Sequence, residues 1–199
     1  AYRCELAGAS SKSAALRVIG RLYPKSPEVE VYLAQCLPKG PAFDEIIRQS
    51  VELGASGIYP LMSCRSVVRL GRADAEKKSA KWFEKYVEAI KQSSNLSKFE
   101  MPPVSDISDF LSNSGGFEVK LVASLRENAS PIYKVLKSAG VDFAKSACVL
   151  IGPEGDLSDA EYDAAESAGF IPVKLGDNVM KCDTAAACAL SVLKAFWQK

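Results

Sequence analysis

The sequence predicts an α/β fold, a mainly parallel sheet flanked by helices, on three observations. Apolar strand patterns alternate with amphipathic helical stretches of about ten residues, which is the rhythm of βαβ units. Glycines and prolines punctuate the stretches where they end, as in Pro38-Lys-Gly-Pro41, Gly54 and Gly140. A length of 199 residues allows one well-buried domain with a smaller appendage, and is short for two full domains.

Taken in order, residues 2–7 and 14–20 read as two strands around the small polar turn Gly8 to Ser13. A lone hairpin is marginal and needs a partner sheet. Lys25-Ser-Pro27 reads as a hinge, which divides the chain into residues 1–26 and 27–199. Val29, Val31 and Leu33 alternate with polar residues into Leu37, a strand, and residues 42–53 follow as an amphipathic helix. Phe43, Ile46, Ile47 and Val51 form its inner face, and Gly54 closes it. Ile58 to Met62 is a short strand. In the helix of residues 74–92, Trp82, Phe83, Tyr86, Val87 and Ile90 share one broad face, read as core.

Beyond a turn-rich stretch from Asn95 to Ser105, a brief helix is expected near Ile107 to Leu111 and a strand from Phe117 to Ser124. Pro131 to Ala139 is a helix with proline in its first turn and Gly140 past its end. Ser146 to Ile151 is a strand, Asp159 to Ala168 a helix and Phe170 to Leu175 a strand. Thr184 to Gln198 is the last helix, capped by Asp183 or Thr184. There is no internal repeat.

Composition removes several functions. The six cysteines form no Cys-x-x-Cys pair and histidine is absent, so no metal site is expected and the cysteines read as reduced, mostly buried small hydrophobes. Without histidine, Ser-His-Asp and Cys-His nucleophile schemes cannot be assembled. The formal net charge of +1 means that any RNA footprint must be a local patch. No apolar run approaches the roughly 20 residues of a membrane span. The opening Ala1-Tyr-Arg-Cys-Glu5 lacks a signal-peptide layout, so a cytoplasmic protein is expected.

Two loops stand out. Cys148 to Ile151 runs straight into Gly152-Pro-Glu-Gly155, and Ser158 with Glu161 forms a capping box for the next helix. Ligands of parallel α/β sheets bind beyond the carboxyl ends of strands, where glycines permit close backbone approach. Gly152→Val is therefore expected to block a ligand while leaving the fold intact. A tight strand-to-helix turn is the plainer reading, and the segment is neither a P-loop nor a Rossmann glycine triplet. The second loop, Leu175-Gly-Asp-Asn-Val-Met-Lys-Cys-Asp-Thr-Ala-Ala186, follows a strand and leads into an alanine-rich helix. Together the loops could grip an adenosine, with apolar Leu175, Val179 and Met180 around the ring. Met180 as ordinary core and the alanines as simple helix formers are the alternatives.

The two loops, in this order, resemble the RsmE family, the uridine-N3 methyltransferases of 16S ribosomal RNA within the SPOUT class. The resemblance spans residues 28 to about 197 and rests on an ordered set of segments. These are Leu37-Pro-Lys-Gly40, Gln49-Ser-Val-Glu-Leu-Gly54, Ile58-Tyr-Pro-Leu61, Arg65-Ser-Val-Val68, Gln92-Ser93, Ile151-Gly-Pro-Glu-Gly155, Ala168-Gly-Phe170, Leu175-Gly176 and Asp183-Thr-Ala185. It implies a deep trefoil knot in the carboxyl half, a topology that chains otherwise avoid. It implies a homodimer through the knot and last helix, and an N-terminal PUA-like RNA-binding barrel of which residues 1–26 would be the last hairpin. That would make the chain a fragment or a shortened member.

The resemblance also implies S-adenosylmethionine (SAM) as cofactor. Its expected contacts are Leu125, Ile151, Gly152, Pro153, Glu154, Gly155, Leu175, Gly176, Val179, Met180, Thr184 and Ala185. Ribosomal RNA or the 30S subunit would be the partner, with Lys39, Arg65 and Gln92 on the RNA. Arg65 and Lys181 would stabilise charge on the uracil ring as its N3 proton leaves. Glu154 would face the sulfonium or bond the turn backbone. Three departures are visible: Asp156 stands at the family's usual second glycine, Asn178 and Lys181 replace arginines, and Asn95 stands nearest to a further one. The alternatives are a related SPOUT enzyme acting on transfer RNA, and a catalytically silent RNA-binding knot protein.

Overall fold

The computed structural model describes residues 2–24 and 26–198. Two sheets form. The first is the antiparallel hairpin β1 (Tyr2–Ala9) and β2 (Ala14–Arg21), with Leu6, Leu16 and Val18 all exposed. Lys25 of the expected hinge lies outside the described residues.

The second sheet has seven strands, all paired in parallel. Its members are β3 (Glu30–Cys36), β4 (Gly57–Met62), β5 (Ser105–Asp106), β6 (Val119–Ala123), β7 (Ser130–Pro131), β8 (Ser146–Ile151) and β9 (Ile171–Lys174). The spatial order is β5-β4-β3-β8-β6-β9-β7. Alternate residues of one strand feed opposite faces, as the pleat requires. Val31, Leu33, Val149 and Ile151 enter one core, and Tyr32, Ala34, Cys148 and Leu150 enter the other.

The first core is covered by α1 (Ala42–Glu52), α2 (Arg72–Ser93), α4 (Ile132–Ser138) and α6 (Cys182–Trp197), the second by α3 (Ile107–Ser112) and α5 (Asp159–Ser167). Gly54 and Gly140 sit past α1 and α4 in the left-handed region, at φ 73° and 63°.

Several expectations need correction. Within α2 only Trp82 and Ala89 are buried, and Phe83 faces outward at 58% exposure. A period of 3.6 cannot hold i and i+1 on one narrow face, and a single neighbouring helix, α1, is not wide enough to cover both. Pro131 precedes α4 as its cap and belongs to β7, where a parallel pairing with β9 claims it. The last helix starts at Cys182, capped by Lys181, so Asp183 and Thr184 lie inside its first turn. Cys36, Cys148 and Cys182 are buried, Cys188 is half-buried, and Cys4 and Cys64 are exposed, all six as free thiols. Among the described residues no helix is long and apolar enough to cross a membrane, and no cluster of His, Cys, Asp or Glu could hold a metal.

Candidate functional site

Three adjacent strands, β8, β6 and β9, release their carboxyl ends into one cavity of about 590 Å³. That is the place where parallel α/β sheets bind ligands, and the volume is that of a small-molecule site. Ser124 and Leu125 reach it from the end of β6, residues 151–154 and Asp156 from the loop after β8, and residues 174–182 from the loop after β9. Ala185 closes it from the first turns of α6.

The loop after β8 is braced from below. Ser158 and Glu161 form the complete capping box of α5. Glu161 also accepts from the Cys64 backbone N–H at 2.7 Å and from its thiol at 3.1 Å, tying the loop after β4 to the same helix. Burial alone would raise the Glu161 pKa, but the bonds from Ser158 and Cys64 hold it below the ordinary carboxylate value. Glu154 Oε1 accepts from the Lys39 backbone N–H at 2.8 Å, which anchors the loop to the end of β3. One oxygen of Glu154 thus serves the turn.

Gly152 works differently from the expectation. A Cβ there would stand 3.2 Å from Leu157 Cγ and 3.3 Å from Leu157 N, so its bare face is turned toward packed Leu157. The absence of a side chain serves loop packing. At Gly176, by contrast, a Cβ would meet Met180 Cε at 3.0 Å, so glycine lets Met180 fold down over the loop after β9.

Ten of the expected cofactor contacts line the cavity: Leu125, Ile151, Gly152, Pro153, Glu154, Leu175, Gly176, Val179, Met180 and Ala185. Gly155 and Thr184 do not. The Gly155 backbone faces Arg65, whose Cβ would lie 3.4 Å from an added methyl, and Thr184 is exposed on α6. Lys181 lines the cavity. Arg65 does not: its guanidinium donates to the carbonyls of Gly155 and Leu157 at 3.3 and 3.2 Å, so it holds the loop's outer side. Lys39 and Gln92 are exposed and stand outside the lining, Gln92 in the last turn of α2.

Ala123, Ser124, Asp156, Lys174, Asp177, Asn178 and Cys182 were missed as lining residues. Asp156 carried a signal, since it stands where a glycine was expected. Its φ is 60°, a left-handed conformation that glycine takes freely and that aspartate tolerates by bonding locally. Oδ1 accepts from the Leu157 N–H at 2.8 Å and from the Tyr162 hydroxyl at 2.7 Å.

The profile of a family described as RNA methyltransferase domain matches residues 24–194. The chain is 30% identical to the ribosomal RNA small subunit methyltransferase E of Bacillus subtilis, over 96% of this chain and 76% of that protein. With the protein of the same name from Synechocystis it shares 32%, over 83% and 53% of the two chains. A Legionella pneumophila protein solved in complex with bound SAM superposes with a TM-score of 0.84 at 25% identity, covering 98% of this chain and 78% of that one. The ribosomal RNA small subunit methyltransferase E of Neisseria gonorrhoeae, solved bound to SAM, shares the fold with a TM-score of 0.87 at 24% identity, over 98% and 79%. The fold, the cavity's position and these matches together make the chain a member of the RsmE family of ribosomal RNA methyltransferases.

Proposed function

We propose that the chain transfers a methyl group from SAM to N3 of a uridine in 16S ribosomal RNA. The observation that carries this is the cavity at the carboxyl ends of β8, β6 and β9, built from the two loops on which the family resemblance rests. The residues present fit the cofactor. Ile151, Leu175, Val179 and Met180 offer an apolar wall for an adenine, and the backbone around Gly152 and Gly176 offers polar groups for its edge. Bound SAM supplies an electrophilic methyl group, and the protein's task is alignment and charge control.

Lys181 at the cavity is the cation that stabilises negative charge on the uracil ring as its N3 proton leaves. Arg65 acts one step back as a positioning residue, because its Nη1 donates to the loop carbonyls of Gly155 and Leu157 and the residue stands outside the lining. The N3–H of a paired uridine is in a base pair, so the target base must be single-stranded or extruded. Lys39 and Gln92 remain proposed RNA contacts from outside the cavity.

The proposal extends to a trefoil knot. It is supported by β8 lying between β3 and β6, and by α6 packing back on α1, β3 and β8 after the last cavity loop. A homodimer is supported by an apolar groove between α4 and α6 beside the cavity, where Tyr133 is 53% exposed and meets Phe196 edge-on. Residues 1–26 are proposed as a PUA-like RNA-binding hairpin, supported by the exposed apolar side chains of β1 and β2. The free cysteines and a ribosomal substrate support a cytoplasmic setting.

Calorimetry with SAM and mass spectrometry of 16S RNA digests after reaction with 30S subunits test the activity. One site per chain and a new N3-methyluridine are expected. The absence of both binding heat and a thermal shift at millimolar SAM would overturn the enzyme reading, and methyl incorporation into transfer RNA alone would overturn the substrate.

A further inference from the structure

Asp156 carries a hydrogen-bonding capacity that the turn does not use. Both bonds it accepts, from Leu157 N–H and Tyr162 Oη–H, fall on Oδ1, and no donor among the described residues reaches Oδ2. A carboxylate is an acceptor only, with room for several donors. Asp156 lines the cavity, so the oxygen left over is available to a ligand there.

The carboxylate is also held in place. Tyr162 is 1% exposed, and its hydroxyl lies within 3.3 Å of the Ala123 carbonyl as well as bonding Asp156. Burial, with the neighbouring Asp156 charge, pushes the Tyr162 phenol up, which keeps it a donor at neutral pH. The left-handed backbone at Asp156 fixes the side chain from the other end. A non-glycine residue kept in that conformation, with a buried partner that orients one oxygen, is a pre-organised acceptor.

Its position selects the donor. Asp156 stands on the β6–β8 side of the cavity: Oδ1 lies 3.5 Å from where a Gly152 Cβ would be, and Tyr162 ties it to the end of β6. The apolar Leu175, Val179 and Met180 come from the loop after β9. An adenine held by that apolar wall leaves the vicinal hydroxyls of its ribose as the adjoining donors. Carboxylates read ribose hydroxyls in other nucleotide folds for the same reason, two donors meeting an acceptor-only group. We infer that Asp156 Oδ2 accepts a hydrogen bond from the ribose diol of the bound cofactor, which makes Asp156 a specificity-determining residue for the nucleoside. This rests on the cavity holding SAM.

The test is calorimetry on the full chain with three probes: SAM, S-adenosylhomocysteine and the 2′,3′-dideoxy analogue of the latter. Asp156→Gly keeps a backbone suited to φ 60°. Asp156→Asn keeps the Oδ1 bonds and places an NH₂ donor where Oδ2 stood. Asp156→Gly is expected to weaken SAM and S-adenosylhomocysteine by the same factor, roughly 10-fold or more for a charge-assisted bond, and to lose the wild-type preference for the diol over the dideoxy analogue. Asp156→Asn, whose NH₂ can still donate to a hydroxyl oxygen but has no charge, should weaken both natural probes alike by a smaller factor. Loss of SAM affinity alone would place the carboxylate at the sulfonium and overturn the assignment. Unchanged affinity for all probes would reduce Asp156 to holding the turn. A wild-type chain that binds neither natural probe would overturn the cofactor reading itself, and this inference with it.

Discussion

Gly152→Ala tests how the loop after β8 is built. The added methyl would stand 3.2 Å from Leu157 Cγ, 3.3 Å from Leu157 N and 3.5 Å from Asp156 Oδ1. Leu157 is 2% exposed in a cluster with Leu150, Tyr162 and Phe170, so its side chain has little space to yield. Its N–H is fixed by the 2.8 Å bond to Asp156, so the backbone resists as well. Overpacking of this kind costs about 1–3 kcal/mol. Restricting the unfolded chain returns about 0.4–1 kcal/mol. The net loss is about 0–2.6 kcal/mol, and at about 2–4 °C per kcal/mol for a chain of this size the melting temperature falls by up to about 10 °C. Scanning calorimetry reads that shift, and titration of the folded variant with SAM reads the cavity. Gly152→Val, two methyls larger, should melt lower still, which replaces the simpler expectation of a folded protein that no longer binds. If Gly152→Ala melts like the parent chain and yet loses SAM, the added Cβ points into the cavity and the packing argument is wrong.

Three further outcomes follow from other contacts. Gly57→Ala would put a Cβ 2.6 Å from the Glu100 carbonyl oxygen and 3.1 Å from Tyr32 Cδ1. Because that carbonyl also accepts from Ile58 N–H at 2.8 Å, neither β4 nor the segment at Glu100 can step back, and the loss should reach the upper end of about 1–3 kcal/mol, seen as a lower urea midpoint. Ser94 ends α2 at φ 54°, where a side chain costs roughly 1–2 kcal/mol; Ser94→Gly should gain about 0.5–1 kcal/mol and raise the melting temperature by about 1–4 °C. Glu161 has a lowered folded pKa, so its stabilisation is complete above its unfolded value of 4.5 and is lost as pH falls through the lower folded value. Glu161→Gln should therefore flatten the acid limb of a melting-temperature profile below that pH and leave the slope at neutral pH unchanged.

What the sequence made legible was local. Ser146 to Ile151 is read to the residue, and the Ser158–Glu161 capping box forms as its spacing says, because both depend on neighbours within one turn or one strand. The two-residue strands β5 and β7 were illegible, since Ser105 and Pro131 pair only because β4 and β9 arrive beside them. Most of the cavity loops were found by residue type. The direction in which each residue points was not: Arg65 and Gly152 carry the right chemistry for a site but spend it on the loop carbonyls and on Leu157. Asp156 shows the converse, a departure from a glycine pattern whose partners, the Leu157 N–H and the Tyr162 hydroxyl, become visible in the fold.

The clamp around Arg126 has a kinetic meaning. Its guanidinium lies 4.5 Å above the Tyr162 ring and meets Asp159 at 2.6 Å and Asp163 at 3.1 Å, so the chain leaving β6 is tied to α5. The loop after β8 is tied in turn through Glu154, Glu161 and Arg65. The segment 176–179 after β9 carries no side-chain bond to either, among the described residues, and Val179 is 78% exposed at its crest. Two walls of the cavity are therefore cross-tied by side-chain bonds, and the third is held by backbone and packing alone. Amide exchange should be fastest along that third wall, and a ligand that bridges it to the other two should slow it most.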